Sequence, residues 1–207
     1  MNACHVFDKI PYMKLSAEEL LEKFSNSTAH PFEVRRIAMM IFDEASDKLF
    51  CMPASDRKLL EAAAILHDIG YHIECKNHNK HSQKLVLEYG LAGFSRRETE
   101  LAACICRYHR GSLPDKEKHE IYSDFDKKER KTVKRLGGIL RLADGLDRAH
   151  LALIKKVKIN YNSKYNIAEF LITPNTPDYY PDLTSAIRKR DLFEIGFKTQ
   201  SVLKFDE

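Results

Sequence analysis

The stretch Leu66-His67-Asp68-Ile69-Gly70 closes one apolar-periodic segment, and Leu142-Ala143-Asp144 lies far downstream on another. Together they read as parts of one metal site. Imidazole nitrogen and carboxylate oxygen suit divalent Mn, Fe, Ni, Zn or Mg, and such an ion makes water nucleophilic near neutral pH. A His-Asp dipeptide by itself is a short motif that arises by chance. Its placement on the predicted elements carries the weight.

Those elements follow from spacing. Val34, Ile37, Ala38, Ile41, Phe42, Ala45 and Leu49 repeat at helical intervals, with Pro31 in the first turn and His30 on the same inward stripe. A further helix begins near Ser55, carries Leu59, Leu60, Ala63, Leu66 and His67, and stops at Gly70, which reads as a left-handed cap. Ser16-Ala-Glu-Glu19 and Ser95-Arg-Arg-Glu98 are capping boxes, the second opening a helix through Leu101, Ala102 and Ile105 toward His109. Ser82 to Tyr89 reads as a short helix, and Gly111 to about Asp126 as a loop.

A long helix is predicted from Glu129 through Val133, Leu136, Leu140, Ala143 and Asp144 toward Lys155, with Gly137-Gly138 permitting close helix approach. The period then changes. Val157 to Tyr161 alternates, Asn162-Ser163-Lys164 turns, and Asn166 to Thr173 is strand-like, followed by a helix over Asp182 to Leu192 and a strand over Glu194 to Phe205. The fold class is therefore mainly α: a helical bundle over residues 1–155 and a small C-terminal α/β appendage over 156–207.

Composition bounds the function. A chain of 207 residues, 43% hydrophobic and 31% charged, can bury a real core. Its apolar runs are far too short for a membrane span, and Met1 to Lys14 lacks a signal-peptide core. Five cysteines, odd in number and without a Cys-x-x-Cys pair, fit a reducing cytoplasm. Cys104 and Cys106 read as buried small hydrophobes on a helix. A net charge of +4 is too mild to indicate nucleic acid.

His30, His67, Asp68 and Asp144 stand on three predicted helices, as ligands of an ion held between helices should. Adjacent residues on a helix point about 100° apart, so His67 and Asp68 share an ion only over the helix edge. Read one at a time, His67 could instead be a helix-terminal histidine favoured by the macrodipole, and His30 a residue with a local hydrogen bond.

In combination, His30, the His67-Asp68 pair and Asp144 resemble the ordered ligands of the HD-domain metal-dependent phosphohydrolase superfamily. The strings HDIGYHIECKNHNKHSQKLVLEYGLAGFSRRETELAACICRYHRGSLP and GGILRLADGLDR resemble the C-terminal HD region of the exopolyphosphatase and guanosine pentaphosphate phosphohydrolase family. Leu183 to Phe205 resembles that family's terminal α/β appendage, so the likeness runs from about residue 15 through most of the chain. The family's actin-like half and its phosphate-binding glycine loop have no counterpart in this sequence, so exopolyphosphatase activity is not implied.

The resemblance implies one or two divalent ions. His81 and His109 resemble the extra histidines of two-metal members; with a single ion they would contact phosphate or support the ligands. Lys76, Lys80 and Lys84 flank His81, Arg107 and Arg110 flank His109, and Arg141 and Arg148 bracket Asp144. Fixed cations of this kind suit the charge of a phosphoryl-transfer transition state. The expected activity is hydrolysis of a phosphoester or phosphoanhydride in a small anionic substrate, a nucleotide first of all. Asp68, Lys80, Arg110 and Arg148 are the catalytic candidates; Lys80, Lys84, Arg110, Arg141 and Arg148 are the substrate-binding ones. No residue stands out as general acid.

Two rivals belong to other classes. One is a non-catalytic regulatory module that binds a nucleotide or polyphosphate. The other is a homodimerisation domain using the Glu194 to Phe205 strand as an exposed edge. The run Lys127-Lys128-Glu129-Arg130-Lys131 reads as a solvated face.

Overall fold

Ser16 and Ser95 begin helices for the same local reason. In the computed structural model, which describes residues 14–177 and 179–206, each serine Oγ accepts the backbone N–H three residues on, and each Glu at that position accepts the serine N–H in return. These boxes open α1 (Ala17–Phe24) and α5 (Arg96–Arg107). Asp126 and Glu129 form a third box, which starts α7 (Lys127–Leu146) two residues before the predicted Glu129. Cys4 and His5 lie outside the described residues.

The stripe on α2 (Ala29–Lys48) is buried as its spacing predicts, from Val34 through Ala45. It packs on α3 (Ala54–Leu66), whose buried Leu59, Leu60, Ala63 and Leu66 lead to His67 at its C-cap. Beyond this point the expectation needs correction. Gly70 is not a left-handed cap: it lies inside a 3-10 turn, Ile69–His72, and is absent from the residues with positive φ. Its lack of a side chain serves close approach instead, since a Cβ there would stand 1.9 Å from the carbonyl oxygen of His78.

That contact belongs to α4 (His78–Tyr89), which begins a full turn before the predicted Ser82. Ser82 clamps the junction: its Oγ accepts Gly70 N–H at 2.8 Å and donates to the His67 carbonyl at 2.6 Å. The expected loop after Gly111 contains one short helix, α6 (Glu120–Ser123).

The long α7 ends at Leu146, not near Lys155. Asp147 stops it by turning the chain back on itself: its Oδ1 accepts Ala152 N–H at 3.0 Å, and its carbonyl accepts His150 N–H. His150 and Ala152 both have positive φ. The chain then enters β1 (Ile154–Asn162), which pairs antiparallel with β2 (Ile167–Pro174). The predicted helix over Asp182 to Leu192 is two short helices, α8 (Thr184–Lys189) and α9 (Asp191–Phe197), and the final strand is only β3 (Gln200–Phe205).

β3 runs parallel to β2, giving the order β1-β2-β3 with α8 and α9 in the crossover. Val157, Ile159, Phe170, Ile172 and Leu203 form the buried face. On β1, an edge strand of the sheet, Glu44 of α2 accepts Ile159 N–H at 2.8 Å. Gly138 lets α9 sit directly on α7: a Cβ there would be 2.6 Å from Phe193 Cα. The architecture is mainly α with a small three-stranded C-terminal sheet, and no helix among the described residues is long and apolar enough to cross a membrane.

Cys104 and Cys106 are buried in α5, whereas Cys51 and Cys75 are exposed. Burial pushes the Cys104 thiol up to about 12 and Cys106 upward as well. Only thiolate attacks alkylating reagents. Iodoacetamide should therefore label Cys51 and Cys75 in the native protein and reach Cys104 and Cys106 only after denaturation, as peptide mapping by mass spectrometry would register.

Candidate metal centre

Four histidines are aimed by their neighbours. Nδ1 of His67 lies 2.8 Å from the Ala64 carbonyl, Nδ1 of His109 lies 2.7 Å from that of Cys106, and Nδ1 of His78 lies 3.0 Å from that of Cys75. A carbonyl only accepts, so each Nδ1 carries a proton and each ring turns its Nε2 toward the cleft. His30 is oriented likewise by a carboxylate, its Nδ1 2.7 Å from Asp147 Oδ2.

These atoms converge in two groups. One ligand atom from each of His30, His67 and Asp144 forms the first set, and one from each of Asp68, His78 and His109 the second, all within 4.8 Å of one another in each set. His67 Nε2 is 3.4 Å from Asp68 Oδ2, which joins the sets. The nitrogens of His78 and His109 face each other at 3.3 Å. His30 Nε2, His67 Nε2 and Asp68 Oδ1 are buried and have no hydrogen-bond partner.

The local charge is balanced by proximity. Burial opposes the ionised forms of Asp68 and Asp144, yet both carboxyls are held far below the usual range. His67, His78 and His109 do this for Asp68; His30, Lys189, His109 and His67 do it for Asp144. Burial also works against charge on His30, but Asp144 and Asp147 outweigh it and hold the imidazole at about 9. Burial likewise opposes charge on His67, which Asp68 overcomes to raise it. Burial and the neighbouring His67 push His109 down to about 3.

Of the sequence candidates, His30, His67, Asp68, Asp144 and His109 come together. His81 does not. It stands one turn along α4, with a side chain 26% exposed and Nε2 3.7 Å from Glu74. His78 instead groups with Asp68 and His109, because α4 starts early enough to carry it in its first turn. Arg110, Arg141 and Arg148 line the cleft, whereas Lys80 and Lys84 are exposed and outside its lining. Arg141 is already engaged by Asp191, at 2.8 Å and 3.2 Å, and by the Gly111 carbonyl at 3.1 Å.

Five lining or supporting residues escaped the pattern. Asp147 shares a helical face with Asp144 at i, i+3, a spacing that does signal it. His150 stacks on His30 with ring centroids 3.7 Å apart, and Tyr71 stacks on His78 at 3.9 Å. His78 and Lys189 complete the set; no local signal announces Lys189, whose Nζ ion-pairs with Asp144 Oδ2.

Comparisons with known proteins place the chain in a family. The model of Ppx/GppA phosphatase, domain III, matches residues 13–181. A guanosine-5'-triphosphate,3'-diphosphate pyrophosphatase of Photobacterium profundum is 32% identical over 92 residues, covering 44% of this chain and 18% of that protein. Proteins of the same name from Vibrio vulnificus, 30% identical over 112 residues, and Pseudoalteromonas atlantica, 24% over 123, are matched over 54% and 59% of this chain. The aligned region spans only 21% and 24% of those two proteins. With the family model matching most of its length, the chain belongs to the Ppx/GppA phosphatase family, in the region of that family's domain III.

Proposed function

We propose that this chain is a metal-dependent phosphohydrolase of the HD type, cleaving a phosphoester or phosphoanhydride of a small nucleotide. The observation that carries the reading is the convergence of two three-residue ligand sets whose inward atoms include three buried ones without hydrogen-bond partners. Buried polar atoms are rarely left unpaired. Nε2 of His78 and Nε2 of His109 face each other at 3.3 Å, and two lone pairs so placed need a proton or cation near both. A divalent ion satisfies both conditions, and the all-nitrogen-and-oxygen donor set suits Mn, Fe, Ni, Zn or Mg.

His30, His67 and Asp144 would hold one ion, and Asp68, His78 and His109 a second, with Asp68 beside both. A divalent ion bound there supplies an activated water and neutralises phosphate charge. The chain's own residues do the rest. Asp147 and the three backbone carbonyls keep the imidazoles oriented, so the site needs little rearrangement on loading. Arg110 and Arg148 stand on the cleft wall to receive anionic oxygens. Tyr71, 46% exposed, offers an aromatic surface at the mouth for a base. The names of the relatives favour a guanosine polyphosphate over inorganic chains.

Elemental analysis of the purified protein, beside a His67→Ala, Asp68→Ala double variant, tests the reading. About one or two ions per chain, lost in the variant, together with phosphate release from nucleoside polyphosphates, is the expected result. Nucleotide binding without turnover, and without metal after reconstitution with Mn, Fe, Ni or Mg, would instead make the chain a regulatory binding module.

A further inference from the structure

Asp144 is shared. Its Oδ1 faces His30 Nε2 at 3.5 Å and His67 Nε2 at 3.9 Å, while its Oδ2 is ion-paired with Lys189 Nζ. The lysine arrives from the C-terminal region, at the last residue of α8, and its side chain is only 21% exposed. Its reach is set by backbone packing. Gly145, the residue after Asp144, carries no side chain, and a Cβ there would lie 2.6 Å from Ala186 Cα in α8. α8 therefore rests on α7 beside the candidate ligand, and Lys189 closes over it. Arg141, also on the wall, is spent on Asp191.

We infer that Lys189 is a tethered counter-cation for the metal site: it compensates Asp144 in the metal-free chain and, on metal loading, gives up that carboxylate and turns its ammonium to a phosphate of the substrate. The inference rests on the metal-dependent reading above. A carboxylate oxygen has lone pairs enough for two partners, but two cations on one carboxylate repel. The lysine thus weakens metal binding in the absence of substrate and strengthens anion binding in its presence, which makes it a positioning residue whose effects on the two ligands have opposite sign. A lysine that merely braced α8 would, on removal, loosen the site and weaken both.

Calorimetric titration of Mn²⁺ into the metal-free wild type, Lys189→Met, Lys189→Gln and Lys189→Arg separates these cases, with thermal melts of each protein with and without Mn²⁺. Met and Gln should raise Mn²⁺ affinity by about tenfold, the effect of removing one nearby like charge, and Arg should leave it close to wild type. The metal-free Met and Gln variants should melt below wild type, and Mn²⁺ should abolish the difference. Inorganic pyrophosphate binding to the Mn²⁺-loaded Met and Gln proteins should fall by about tenfold. Wild-type uptake of Mn²⁺ with unchanged or weaker affinity in both neutral variants overturns the role of Lys189 and leaves the metal site standing. No Mn²⁺ uptake by any of the four proteins overturns the metal site, and the inference with it.

Discussion

Asp144→Asn is expected to lower metal-dependent turnover by at least about 100-fold, beyond the range typical of groups that only support a ligand, while the protein stays folded. Asparagine keeps the shape of the side chain but removes the charge that His30, His67 and Lys189 surround. Folding loses an ion pair at the cleft wall and at the same time no longer buries a carboxylate that is 8% exposed. Opposed terms of this kind leave a stability change of about 2 kcal/mol or less. Far-ultraviolet circular dichroism and a cooperative melt would establish the fold, and phosphate release with added Mn²⁺ the activity. Asp147→Asn is the informative neighbour: it replaces the charged acceptor at His30 Nδ1, 2.7 Å away, with a weaker neutral amide and removes no ligand, so its loss should be smaller, about 10- to 100-fold. Turnover retained in Asp144→Asn would remove this residue from the site.

Gly70→Ala should be the most damaging single methyl addition to the fold. The new Cβ would meet the His78 carbonyl oxygen at 1.9 Å and Ser82 N at 2.5 Å. Both are backbone atoms of one helix, so no rotamer change relieves the clash. The 3-10 turn and α4 must separate, breaking the Ser82 bridge from Gly70 N–H to the His67 carbonyl. Overpacking of this severity costs about 3 kcal/mol or more, a fall in Tm of about 6–12 °C for a chain of this size. The same displacement carries His78 away from Asp68, now 3.2 Å apart, so one candidate ligand set should be lost before the protein unfolds. A melt unchanged within a degree or so would show that the turn yields more easily than its geometry suggests.

The two substitutions mark where local pattern stops being informative. Capping boxes at Ser16 and Ser95 were legible because all their partners lie within three residues. The α2 stripe was legible because burial of one helical face imposes its period on the sequence. Gly70 shows the opposite: a glycine ending an apolar run suits a left-handed cap, but the packing of α4 against the turn gives it a different task. The misplaced start of α4 had the larger consequence, because it exchanged His78 for His81. Asn77, which precedes this helix with φ 60°, offers no side-chain cap of the kind that marked the others.

From its sequence alone this protein is a mainly helical chain ending in a small sheet, with His30, His67, Asp68 and Asp144 as the residues to watch, since helix periods, caps and strand alternation are short-range consequences of residue type. Tertiary structure alone decided that His78 completes the second set, that Asp147 aims His30, that Arg141 is occupied, and that Lys189 reaches Asp144 from 45 residues away. Those outcomes depend on which backbones approach closely, at Gly70 and Gly145 above all, and close approach between distant segments leaves no period in the chain to read.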